Sequence, residues 1–175
     1  MIASIGENIN LRRMEKIENN NGIISSYIHN QVVDNMGKIG VLVSLESDEE
    51  KSKLKDLGKQ IAMHIAATNP ISINVEDIPK EILERERKIL EKEARSSGKS
   101  EEIIEKMTEG RLNKFYQESV LLEQTFIVDG ESKIKDILNT LDKPIVILGF
   151  IRMGLGEGIK KKSEDFANEV DSLIS

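Results

Sequence analysis

The architecture of this chain follows from one stretch: Gly22-Ile23-Ile24-Ser25-Ser26-Tyr27-Ile28-His29-Asn30-Gln31-Val32-Val33-Asp34-Asn35-Met36-Gly37-Lys38-Ile39-Gly40-Val41-Leu42-Val43-Ser44-Leu45. Ile23, Ile24, Tyr27 and Ile28 are β-branched or aromatic, which favours a strand. Asp34-Asn35-Met36-Gly37 is a turn signal. Beyond it Ile39, Val41, Val43 and Leu45 alternate along one face of a second strand. Two strands joined by so short a loop predict an antiparallel hairpin. Asn19-Asn20-Asn21-Gly22 marks a turn at its upstream end.

Outward from the hairpin the period changes to that of helices. Ser47-Asp48-Glu49-Glu50 has the spacing of a capping box. Leu54, Leu57, Ile61 and Ile65 follow as an apolar stripe at helical spacing. Asn69-Pro70 is expected to end that helix, because a proline disfavours helical geometry in the residue before it. Pro79 suits the first turn of another helix, and residues 79–95 are almost all Glu, Lys, Arg, Ile and Leu. Ser96-Ser97-Gly98 breaks it, and Ser100 with two glutamates starts the next. Ile82 and Ile89 are a heptad apart, as are Leu83 and Leu90, while Ile103, Met107 and Phe115 continue a narrow stripe. Residues 79–118 therefore read as an antiparallel helical hairpin, a short coiled coil projecting from the body. Phe126-Ile127-Val128 reads as a short apolar segment ending at Asp129-Gly130. Ile134, Ile137, Leu138 and Leu141 read as an amphipathic helix, and residues 145–151 as a well-buried strand. A glycine-rich turn follows, then a helix capped by Ser163 with Phe166, Val170 and Ile174 on one face.

The expected fold class is α+β: a small antiparallel sheet packed with helices, plus the projecting hairpin. The expected division is 1–78 and 119–153 for the two parts of the core, 79–118 for the insertion and 154–175 for a C-terminal helical module. Composition agrees. Of 175 residues, 38% are hydrophobic, enough for a core, and 32% are charged, which suits long solvated helices. Aromatics are 3% and Trp is absent, so Ile, Leu, Val and Met must fill the interior.

A net charge of −6 argues against a nonspecific nucleic-acid binder, which needs a basic face. With no cysteine, neither a disulfide framework nor a thiolate metal site is open to the chain. No apolar run approaches the roughly 20 residues of a membrane span. A soluble, cytoplasmic protein is the expectation.

The sequence holds few groups arranged for chemistry. Gly154-x-Gly156-x-Gly158 follows a strand, yet Ile159 stands where the third glycine of the dinucleotide pattern belongs. In the phosphate-loop pattern begun at Gly149, Leu155 stands where lysine is required. A turn needing positive φ is the better reading. His29 and His64 are the only histidines and have no metal-ligand spacing; His64 reads as a structural residue and His29 as a candidate partner contact. Glu84, Glu86, Glu91 and Glu93 belong to a solvated face with Lys88, Lys92 and Arg95. No serine sits in a Gly-x-Ser-x-Gly turn, and Arg12-Arg13 is expected to be salt-bridged within the fold. Neither an enzyme nor a cofactor is indicated; a projecting helical pair usually meets another protein.

Several separated motifs, in order, resemble the bacterial elongation factor Ts family. They are Ile5-Gly6-Glu7-Asn8-Ile9-Asn10-Leu11-Arg12-Arg13, Ser26-Tyr27-Ile28-His29, Lys38-Ile39-Gly40-Val41-Leu42-Val43 and Ile61-Ala62-Met63-His64-Ile65-Ala66-Ala67 with Asn69-Pro70. Ser97-Gly98-Lys99, Glu105-Lys106-Met107, Glu109-Gly110-Arg111 and Lys114-Phe115 follow. Then come Glu123-Gln124-Thr125-Phe126-Ile127-Val128, read as a strand, Gly149-Phe150-Ile151-Arg152-Met153-Gly154-Leu155-Gly156-Glu157-Gly158-Ile159, and Phe166 with Glu169-Val170 in the terminal helix. The resemblance covers essentially the whole chain. It implies the second core subdomain, the coiled-coil insertion and the C-terminal module of the family, without the N-terminal module. No Thr-Asp-Phe-Val occurs, the loop whose Phe wedges into the partner in that family.

The resemblance implies a guanine-nucleotide exchange factor for elongation factor Tu that acts by binding, without bond chemistry. Exchange by this chain alone is expected to be weak. By motif, the partner contacts would be Ile5 and Gly6, which lie beside the Phe wedge. His29, Ile127 and Val128 would lie against one helix of the nucleotide domain, and Phe166 and Val170 on the terminal helix. Asn30 stands where a glycine commonly follows the histidine, which bears on the direction of His29. The alternative is a dimerisation domain in which the hairpin or sheet edge joins two copies.

Overall fold

The computed structural model describes residue 6 and residues 11–159. The hairpin forms as the sequence predicts. Strand β1 (Gly22–Val33) pairs antiparallel with β2 (Met36–Glu46) across Asp34 and Asn35, and Asn35 takes a left-handed φ of 60°. A third antiparallel strand, β3 (Val146–Gly154), lies on the other side of β2, giving the order β1-β2-β3.

Helix α1 (Lys51–Thr68) covers one face of this sheet. Leu54, Ile61 and Ile65 are buried as the stripe predicts, against Val41, Val43 and Leu45 of β2. Burying each such side chain contributes about 1.5–3 kcal/mol. The helix sits close because Gly58 has no side chain. A Cβ there would lie 2.3 Å from Ser25 Oγ and 2.8 Å from Ser25 Cβ. This contact and the Arg152–Ala66 contact described below make α1 run in the direction of β1. Asn69 closes the helix in the left-handed conformation, φ 50°, and its N–H bonds Ile65 O at 3.0 Å.

The start of α1 differs from expectation. Ser47 does not cap it: Ser47 Oγ accepts the Glu49 amide at 3.1 Å, two residues on, and Glu50 holds the cap position without a side-chain bond to the helix amides. Glu46 still belongs to β2, so the chain needs residues 47–50 to turn, and the serine serves that turn instead.

Helices α2 (Lys80–Arg95) and α3 (Glu101–Ser119) lie side by side and antiparallel, joined through residues 96–100. Pro79 caps α2 one residue earlier than a first-turn position. Arg111 and Glu93 pair at 2.5 Å and Arg95 and Glu101 at 2.6 Å across the junction. The buried seam is Leu90 and Ala94 against Ile104 and Thr108. Ile103, expected in the seam, is 45% exposed, and Ile82 and Ile89 are also exposed. The seam is displaced by one position because Thr108 donates its hydroxyl to Ile104 O within its own helix, at 2.9 Å, and can then be buried.

Three further expectations are corrected. Phe126, Ile127 and Val128 do not form a strand. Phe126 is buried, and Ile127 and Val128 stand in a turn closed by the Gly130 N–H on Phe126 O at 2.8 Å. The helix from Ile134 is a single turn, α4 (Ile134–Ile137), whose end is diverted by Asn139 and Thr140 bonding Lys135 O and Ile137 O. Strand β3 is half-buried: Ile147 is inside, while Val146 and Leu148 are exposed. Ser163, Phe166, Val170 and Ile174 lie outside the described residues.

After β3 the chain turns through Gly156 and Gly158, with φ 77° and 73°, as the positive-φ reading requires. Glu157 fastens that turn. It accepts the Gly154 N–H at 3.0 Å, Arg152 at 2.8 Å and Arg13 at 3.4 Å, while Arg12 bonds its backbone oxygen. The Gly154 N–H, foremost, and then the arginines hold its carboxyl below the usual range. Arg12 and Arg13 are thus tied into the fold. No helix among the described residues is long and apolar enough to cross a membrane.

Candidate functional site

Where α1 ends, its last turn and the sheet leave a groove of about 460 Å3. Tyr27 and His29 of β1 line one side, two residues apart and so on one face of the strand. Ile39 of β2 is paired with His29. Met63, Ala66 and Ala67 of α1, Arg152 of β3 and Ile127 complete the lining. Volume does not single this groove out, since other concavities among the described residues reach 450–560 Å3. What singles it out is that two sequence-distant candidates, His29 and Ile127, meet there.

His29 is exposed and hydrogen-bonded through Nδ1 to Tyr27 Oη at 3.2 Å. The next residue, Asn30, takes φ 50°. That is the region glycine enters freely and asparagine more readily than other residues, so the substitution of Asn for glycine keeps the backbone turn beyond His29. Arg152 is fixed at both ends: Nε and Nη2 donate to Ala66 O at 3.4 Å, and Nη1 meets Glu157. A cation on the last carbonyls of α1 also complements the helix dipole.

The turn bearing Ile127 and Val128 is built from beneath. Phe126 is the buried anchor. Asp129 Oδ1 accepts the amides of Glu131 and Ser132 at 3.0 and 3.1 Å, which hold its carboxyl below the usual range. The Ile127 amide donates to His64 Nδ1 at 3.3 Å. With these bonds made inside, Ile127 and Val128 are left 41% and 48% exposed.

His64 is fully buried. Its Nε2 lies 2.9 Å from Gln124 Oε1, and Thr68 Oγ1 lies 2.9 Å from both His64 O and Gln124 Oε1. Gln124 Nε2 donates to Glu118 O at 2.7 Å. Burial pushes the His64 pKa down, opposed by the bond to Gln124.

Of the remaining candidates, Gly6 is exposed with φ 75° and Ile5, Phe166 and Val170 lie outside the described residues. Val128 shares the turn of Ile127 but does not line the groove. Tyr27, Met63, Ala67 and Arg152 were not marked as site residues by sequence. Their signal was present only as membership of motifs around His29, His64 and Gly154. The groove offers one histidine, one arginine and apolar walls. Among the described residues no group of three His, Cys, Asp or Glu side chains could hold a metal ion. The arrangement suits recognition of an apolar surface with one or two polar contacts.

The family model described as "Elongation factor TS" matches residues 1–157. The chain belongs to the elongation factor Ts family. It is 50% identical over 177 residues to elongation factor Ts of Rhodospirillum centenum, covering 99% of this chain and 58% of that protein. It is 48% identical to that of Parvibaculum lavamentivorans, covering 97% and 56%. It is 44% identical to that of Caulobacter vibrioides, covering 99% and 57%. These are proteins of translation elongation by name. The chain spans less than three-fifths of the length of the curated relatives it matches.

Proposed function

We propose that this member of the elongation factor Ts family binds elongation factor Tu through the groove at the end of α1, as part of a guanine-nucleotide exchange factor. The observation that carries the reading is the meeting of His29 and Ile127 in one groove; the family resemblance assigns both, from separate motifs, to the same helix of the partner. The groove is walled by Ile39, Met63 and Ala67, and an amphipathic helix lays its apolar face into such a groove. Exchange then needs no bond chemistry. A factor that binds nucleotide-free Tu more tightly than Tu·GDP weakens GDP binding by the same factor.

Isothermal titration against nucleotide-free and GDP-bound Tu tests this. The expected result is tighter binding to the nucleotide-free state. Ile127→Ser removes a half-exposed apolar contact and is expected to weaken that binding about 5- to 30-fold, equivalent to roughly 1–2 kcal/mol. Unchanged affinity in Ile127→Ser combined with His29→Ala would remove the groove from the interface.

A second reading, self-association, is favoured by the sheet face away from α1. It carries Ile24, Ile28, Leu42, Ile151 and Met153, of which Ile24 is 43% exposed. Light scattering distinguishes it: a monomer at high protein concentration excludes a dimer formed by this chain alone.

A further inference from the structure

We infer that His64 is a positioning residue for partner binding: its Nδ1 holds the amide of Ile127 and thereby fixes how Ile127 stands at the groove, with Val128 beside it in the same turn. The inference rests on the proposed role of that turn in binding elongation factor Tu.

The hydrogen-bond directions follow from one another. Gln124 Nε2 donates to Glu118 O, so its amide oxygen faces His64 and Thr68. An amide oxygen only accepts, so the proton of a neutral His64 must be on Nε2. Nδ1 is then a bare lone pair, and it faces a backbone N–H that can only donate. Among the described residues no other acceptor takes the Ile127 amide. The ring thus bridges α1 to the turn, and its two nitrogens do opposite jobs.

A merely space-filling residue would not need this arrangement. The ring is fully buried and packs against Phe126, with ring centroids 6.0 Å apart. An apolar side chain of similar volume would fill the same space. It would leave the Ile127 amide without its acceptor, immediately beneath the two exposed apolar side chains. The lowered basicity of the buried ring keeps Nδ1 free of a proton near neutral pH.

Two substitutions separate the nitrogens. In His64→Asn the side-chain oxygen can occupy the place of Nδ1 and accept the Ile127 amide. In His64→Gln the side-chain amide can occupy the place of Nε2 and reach Gln124, leaving the Ile127 amide unpaired. Hydrogen exchange is read at the Ile127 amide without any partner, and affinity for nucleotide-free Tu is read by titration. His64→Gln is expected to speed exchange at Ile127 about tenfold or more and to weaken Tu binding about 5- to 10-fold. His64→Asn is expected to keep both near those of the unsubstituted chain. Equal exchange at Ile127 in the unsubstituted chain and His64→Gln overturns the inference, whatever the binding result. Failure of the unsubstituted chain to bind Tu overturns the functional reading instead, because the exchange measurement needs no Tu. If either substituted chain does not fold, imidazole nitrogen NMR of the unsubstituted chain decides: a proton on Nε2 alone supports the inference, and a proton on Nδ1 overturns it.

Discussion

At the scale of single residues, the buried polar group and the tightest contact make the sharpest demands. His64 is neutral inside but titrates near its ordinary value of about 6.5 when the chain unfolds. Its folded pKa is depressed by burial, so between the two values the unfolded chain binds the extra proton. Stability is therefore full above about pH 6.5 and falls as pH drops through the folded value. The carboxyls of Glu123, Asp129 and Glu157, all held low, weaken the fold only at more acid pH. A melting series is expected to show a first loss below about pH 6.5 that disappears in His64→Gln. Gly58 makes the second demand. Alanine would gain about 1 kcal/mol of helix propensity. Its Cβ would also meet Ser25 Cβ, which the strand backbone fixes, at 2.8 Å. Overpacking of this kind costs about 1–3 kcal/mol, so Gly58→Ala is expected to lower the urea midpoint, and Gly58→Val to lower it further. An unchanged or raised midpoint for Gly58→Ala would show that the sheet can yield at Ser25.

At the scale of elements, the helical pair is held by little. Its seam buries Leu90, Ala94, Ile104 and Thr108, and its ion pairs Glu93–Arg111 and Arg95–Glu101 are exposed. Exposed pairs are each worth roughly 0–1 kcal/mol. Leu90→Ala with Ile104→Ala is expected to remove about 2 kcal/mol or more from the pair. Amide exchange across residues 80–119 would then quicken while that of α1 and β2 holds, and uniform quickening would contradict a locally held pair. This pair also shows what the sequence could reveal. Glu-, Lys- and Leu-rich composition and the Ser96-Ser97-Gly98 break gave both helices and their junction. The seam was less legible, because a threonine whose hydroxyl bonds its own helix behaves as an apolar residue that no hydrophobic pattern marks. Strict alternation gave β2, and helical spacing gave α1. Phe126-Ile127-Val128 looked like a strand because composition does not distinguish an apolar triplet paired along its backbone from one pinned by a single buried ring. Ile127 was legible only through a family motif, and His29 as a lone histidine beside a strand as well as through its motif. Their meeting in one groove depends on the register of the sheet and the length of α1, which no local pattern encodes.

At the scale of the whole molecule, binding and exchange are separable, and on the proposed reading this chain offers a way to separate them. On the proposed reading the groove supplies apolar area for docking, but contacts made equally to GDP-bound and nucleotide-free Tu shift no equilibrium. Exchange needs a contact made better in one state. In the family that contact is attributed to the Phe of a Thr-Asp-Phe-Val loop, and this chain contains no such tetrapeptide. Coupling between two ligands is typically about 1–3 kcal/mol, or 5- to 150-fold, so loss of the wedge should cost exchange by a factor in that range while much of the docking persists. With fluorescent mant-GDP loaded on elongation factor Tu, the chain is expected to release nucleotide at least about fivefold more slowly than a full-length family member at equal occupancy of Tu. Equal rates at equal occupancy would place the differential contact within these 175 residues. The groove would then have to discriminate between nucleotide states by itself, and Ile127→Ser would lower the maximal release rate as well as the affinity.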